Sequence, residues 1–139
     1  MFNRIAVLTA IAALALAGTS LAGNGNGPDK SSSSITLVVL SDGAAIASAS
    51  SAPSYGDEVT FDVSTTATDH PYVNLKCFQN GSLVGEAWEG FFDGALGDRT
   101  LTLWSPQWSG GAADCTATLS KRTKHGWQEL ASTSFSVSA

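Results

Sequence analysis

The stretches Val73 to Asn80, VNLKCFQN, and Ala112 to Ser120, AADCTATLS, decide the fold class. Each alternates with the period of a β-strand: Val73, Leu75 and Cys77 share one face, and Ala113, Cys115, Ala117 and Leu119 share another. Cys77 and Cys115 are the only cysteines in the chain, and both thiols point where the apolar side chains point. One pairing is open to them, so two strands are predicted to be stapled inside one core. Closing a loop of 38 residues in this way stabilises a fold by about 4 kcal/mol on the chain-entropy estimate.

A disulfide needs an oxidising compartment, and the first 22 residues read as an export leader. Arg4 gives a positive n-region, Ile5 to Ala17 is apolar and uncharged, and Ser20-Leu21-Ala22 offers small residues for cleavage. Cleavage is expected after Ala22, with a cut after Ala17 as the alternative. The apolar run is shorter than the roughly 20 residues of a membrane span. Asn24 stands where a lipoprotein would carry its cysteine, so the product is expected to be secreted, extracellular and free of the membrane after cleavage.

Residues 23–34, GNGNGPDKSSSS, read as a flexible linker, and residues 35–139 as one β-sandwich domain. Ser, Thr, Ala and Gly are abundant and charged residues few. The formal net charge of -5 becomes slightly more negative once Arg4 is removed with the leader, which argues against nucleic acid or an anionic lipid surface as partner.

Working outward from the two cysteine runs, period two and turn residues give seven strands. They are Ile35 to Leu40, Glu58 to Ser64, Tyr72 to Gln79, Ser82 to Phe92, Thr100 to Trp104, Ala112 to Ser120 and Trp127 to Val137. Asn80-Gly81 tolerates positive φ and predicts a two-residue hairpin turn. Pro106 stops one strand, and Gly110-Gly111 frees the backbone before the next. The expectation is an all-β, seven-stranded antiparallel sandwich with Greek-key connections.

With seven strands, a cysteine in the penultimate run DCTATL and Trp88 eleven residues after Cys77, the chain resembles the immunoglobulin-like (Ig-like) superfamily, in particular small exported bacterial proteins. The resemblance covers Ile35 to Val137 and implies a binding or structural role. The cysteines are close in sequence for the family's inter-sheet bridge, and Ala113 stands where its corner tyrosine is expected. Two registers follow. If Ile35 to Leu40 is the first family strand, the bridge joins neighbours of one sheet; if it is an extra arm, Trp88 becomes the core tryptophan. The first uses every strand and explains the short spacing.

The residues give little support to catalysis. His70 precedes Pro71 in a connector, His125 sits in the basic turn Lys121 to Gly126, and no serine lies in a G-x-S-x-G elbow. Glu86 and Glu89 are an odd number apart and point to opposite strand faces, while Asp93 and Asp98 bracket a turn without the ligand density of an EF-hand loop. Two isolated cysteines do not make a zinc site, so no metal and no cofactor is expected.

Two leads concern recognition. Trp108, in SPQWSG, sits in a loop and offers a contact platform, or else folds back to plug the end of the sandwich. Lys121, Arg122 and Lys124, followed by Trp127, form a basic hairpin suited to an anionic partner. The function expected is a secreted, monomeric, non-enzymatic domain with a binding or structural role toward a protein or glycan at the cell exterior. The alternatives are a carbohydrate-binding module using exposed tryptophans and a secreted protease inhibitor.

Overall fold

A computed structural model describes residues 31–41, 44–45 and 52–139; the expected leader over residues 1–22 and the linker as far as residue 30 lie outside them. Among the described residues eight strands form: β1 (Ser33–Ser41), β2 (Ala44–Ala45), β3 (Glu58–Thr65), β4 (Tyr72–Gln79), β5 (Ser82–Gly90), β6 (Leu101–Thr102), β7 (Ala113–Thr123) and β8 (Gly126–Val137). Seven correspond to the strands read from the sequence, and β2 is a two-residue return of β1. No helix occurs among the described residues.

The strands make two antiparallel sheets, ordered β2-β1-β3-β6 and β5-β4-β7-β8, in a sandwich-like arrangement. Alternation accounts for the core between them. Val59 and Phe61 from β3 meet Val73, Leu75 and Cys77 from β4 and Ala113, Cys115, Ala117 and Leu119 from β7, all buried. Phe61 also contacts Phe91 and Phe135 of the second sheet's side, with ring centroids 6.3 and 6.4 Å away.

Cys77 and Cys115 face each other across the β4–β7 ladder and form the disulfide, with Cα atoms 4.1 Å apart. That spacing belongs to the narrow, non-hydrogen-bonded kind of antiparallel pair. The bridge therefore staples neighbours within one sheet, as the first register expected. The second register fails, because Trp88 is 43% exposed on the outer face of β5.

Asn80 and Gly81 have φ of 50° and 80°, the two left-handed residues that a tight hairpin turn between Gln79 and Ser82 requires. At the opposite end, Lys124 and His125 make the turn between Thr123 and Gly126. Thr123 holds it, its hydroxyl donating to the Gly126 carbonyl and accepting from the His125 N–H.

Several boundaries depart from the sequence reading, among them the end of the fourth predicted strand, which stops at Gly90 and not at Phe92. β1 begins at Ser33, not Ile35, so Ser33 and Ser34, expected in the linker, pair with Thr65 and Ser64. The fifth predicted strand shrinks from Thr100–Trp104 to Leu101–Thr102, because Arg99 has φ 64° and Leu103 bonds the loop carbonyl of Asp57. The last hairpin is longer than read, as β7 continues through the basic residues to Thr123.

Candidate functional site

The outer face of the β5-β4-β7-β8 sheet carries the arrangement of interest. Inward placement of Val73, Leu75 and Cys77 sends Tyr72, Asn74 and Lys76 outward on β4. Their partners Trp88 and Glu86 on β5, and Ser120 and Thr118 on β7, follow to the same side.

β8 needs a further step. Leu119 pairs with Ala131 but Ser120 pairs with Glu129, so Leu130 is an extra residue in the ladder. Leu130 and Ala131 are consecutive apolar residues, and both pack against the core. Accommodating both breaks the period of two and turns Glu129 and Trp127 outward, opposite Ser120 and Arg122.

Trp88 and Trp127 stand on the two edge strands with β4 and β7 between them. At about 4.8 Å per strand these edge strands run about 14 Å apart, and the ladders set the two residues at different levels along them. Their ring centroids are nevertheless only 4.8 Å apart and tilted by 34°, so both side chains lean over the middle of the sheet. Small residues beneath them permit this, and the outward-facing Asn74 and Ser120 are buried as a result, at 6% and 4% exposure. Asn74 is satisfied there by donating to Glu86 Oε1 at 3.0 Å.

The ring array continues sideways. The Tyr72 ring meets Trp127 edge-on at 5.1 Å and Phe92 at 5.3 Å, and Phe92 meets His70 at 4.7 Å. The Arg122 guanidinium lies 5.4 Å from the Trp127 ring centroid, within cation–π range. Lys76 Nζ lies 3.7 Å from Glu86 Oε1. Trp88 and Trp127 remain 43% and 44% exposed, so the array presents aromatic surface to solvent with charged groups around it.

The residues singled out in the sequence are divided by the structure. Arg122 and Trp127 are brought together, and Trp88 joins them. Lys121 leaves the group: strand alternation turns it to the other side, where its Nζ reaches the Ala67 carbonyl at 3.5 Å. Lys124 is exposed at the hairpin tip. The basic turn is therefore not one cationic patch.

Trp108 departs furthest from the contact-platform expectation. It is 4% exposed, its Nε1–H donates to the Gly111 carbonyl at 3.1 Å, and its ring packs on Tyr55 at 5.3 Å. The alternative expectation, a plug at the end of the sandwich, describes it. Gln79 holds the loop in place by donating to the carbonyls of Gly110 and Ala112.

The residues weighed for catalysis are occupied in holding turns and strands. Glu86 faces outward to Lys76, whereas the carboxylate of Glu89 fills the space over Gly97. Asp93 pairs with Arg99 at 3.3 Å, and Asp98 accepts the Thr100 N–H. Among the described residues no group of three or more His, Cys, Asp or Glu is placed to hold a metal ion. A cleft of about 50 Å³ opens beside β5, lined by Leu75, Gly85, Trp104 and Trp108. It falls far short of the roughly 300 Å³ of an enclosed ligand pocket.

No protein-family model, curated protein or solved structure matches the chain.

Proposed function

We propose that this protein is an exported, non-enzymatic domain of Ig-like build that works at the cell exterior by binding, through the outer face of the β5-β4-β7-β8 sheet. The observation that carries the reading is the convergence of Trp88 and Trp127. Two large rings from opposite edges of a sheet meet and still leave over 40% of each in water. Burial of such surface on association is favourable, and exposed tryptophan is enriched where partners dock.

The Ig-like assignment is supported by the strand order. Counting the seven predicted strands, the first, second and fifth share one sheet and the third, fourth, sixth and seventh the other. That partition requires the chain to cross between sheets as a Greek key does. Export is supported by the pattern of residues 1–22 and by the disulfide, which suits an oxidising compartment. Among the described residues, no helix is long and apolar enough to cross a membrane.

The test compares the secreted protein with a Trp88→Ala/Trp127→Ala variant for retention on intact producing cells. A loss of at least tenfold in the double variant, with Lys121→Ala/Lys124→Ala retained like the wild type, is expected. Equal retention of the tryptophan variant would remove this face from the function.

A further inference from the structure

We infer that the ligand of this face is a neutral polysaccharide, held by stacking of a sugar ring on the exposed surface of Trp88 and Trp127 and by pairing of its hydroxyls with the polar groups around them. The inference rests on the binding reading above and names its ligand class.

Charge selects among the candidate partners. Four charged groups border the rings on this face: Lys76, Glu86, Arg122 and Glu129. Two are positive and two negative; Lys76 is paired with Glu86, and Arg122 lies against the Trp127 ring. Farther along the same face Asp114 adds a third carboxylate, so the face holds no surplus of cations, in a chain whose net charge is -5. A nucleic acid, a sulfated glycan or an anionic membrane needs a surplus of cations that this face does not offer.

A pyranose ring has the complementary chemistry. Its C–H face is apolar and flat, and its rim carries hydroxyls that both donate and accept hydrogen bonds. Arg122 and Lys76 supply donors, Glu86 and Glu129 supply acceptors, and each carboxylate or guanidinium is planar and suited to two adjacent hydroxyls. Beyond the rings the same face continues as hydroxyls on β7 and β8, with Thr116 and Ser134 hydrogen-bonded at 2.9 Å. The sheet is open along its length, so a chain rather than a single sugar fits it.

The experiment is electrophoresis of the folded, disulfide-bonded protein in native gels cast with laminarin, xylan, galactomannan or dextran, with dextran sulfate as the anionic counterpart. Retardation by at least one neutral polysaccharide is expected, unchanged in 0.5 M salt. It should weaken at least tenfold in Trp88→Ala, recover in Trp88→Tyr, and be unaffected in Trp104→Ala, which removes an exposed tryptophan outside the array. Absence of retardation by every neutral polysaccharide, retardation by dextran sulfate alone, or equal losses in Trp88→Ala and Trp104→Ala would overturn the inference. Cell retention separates the two readings. If it depends on Trp88 and is abolished by periodate oxidation of the cells, both stand. If it depends on Trp88 but is abolished only by protease treatment, the face binds and the sugar inference falls. If it does not depend on Trp88, both fall.

Discussion

Reduction of Cys77–Cys115 should lower stability by about 4 kcal/mol without dismantling the native sheet. The pair sits inside a ladder in which Tyr72 to Phe78 face Ser120 to Asp114, and Cys115 is also matched to Phe135 on its other side. These hydrogen bonds and the core around them do not require the S–S bond. Its contribution lies in the unfolded chain, where it closes a loop of 38 residues; the loop-entropy relation gives about 4 kcal/mol at 25 °C. For a domain of about 100 residues that corresponds to a fall in Tm of about 20 °C. Set against a typical net stability of about 5–15 kcal/mol, the reduced protein should remain folded at room temperature.

The assay is equilibrium urea unfolding, followed by far-UV circular dichroism and tryptophan fluorescence, with and without a phosphine reductant. Reduction is a clean perturbation because both sulfur atoms stay in the core. A Cys77→Ala/Cys115→Ala variant also empties the space of two sulfurs that are 2% and 1% exposed, and should lose about 1–2 kcal/mol more per site. A loss below about 1 kcal/mol on reduction would refute the loop argument. So would loss of the β-sheet signal on reduction in the absence of urea, since the ladder would then depend on the bond itself.

Two further outcomes follow from packing. Trp108→Ala should cost about 3–5 kcal/mol in urea unfolding, because a buried indole that also satisfies the Gly111 carbonyl is removed; Trp108→Phe should cost clearly less. Gly90→Ala should cost about 1–3 kcal/mol and alter the near-UV circular dichroism, because the new Cβ would lie 2.8 Å from the Phe92 ring and 2.9 Å from Ala95 Cβ, forcing Phe92 away from Tyr72.

The parts of the fold that were legible in the sequence are those where one local rule acts alone. The alternation of β3, β4 and β7 and the positive-φ dipeptide Asn80-Gly81 place strands and turn correctly, and the in-phase cysteines give the staple. The candidate site was less legible because its residues come together through β8. Counting back by twos from Val137, which is buried, puts Trp127 on the inner face. Only the extra residue at Leu130 turns it outward. The consecutive apolar pair Leu130-Ala131 was the available signal. Trp88 depends on a second irregularity: the two-residue turn alone would set it opposite the inward Val73, and the extra residue at Val84 moves it opposite Asn74. Its convergence with Trp127 across two intervening strands could not be read from either strand alone. Nor could the separation of Lys121 from Arg122 be seen while the basic run was read as a turn: continuing β7 through it sends neighbours to opposite faces.

The tryptophans at the two ends of this domain meet opposite fates, and local backbone decides each. At the Asn80 end, Trp108 enters the core because its loop is closed around it: its N–H donates to Ser105, its indole to Gly111, and Gln79 ties down Gly110 and Ala112. Ser105 in turn donates to the Val84 carbonyl, fastening that loop to β5. At the other end, the inner space is taken by Leu119, Leu130 and Ala131, so a bulge moves Trp127 outside. A ring on the outer face could have lain apart from others. Here Trp88 reaches across two strands to meet it, over an asparagine and a serine small enough to be covered. The mutual contact limits how much apolar surface water must hydrate in the free protein, and the charged rim keeps the face soluble. Both effects make it possible for the free protein to carry two half-exposed tryptophans, and both leave the outward surfaces of the rings in contact with water.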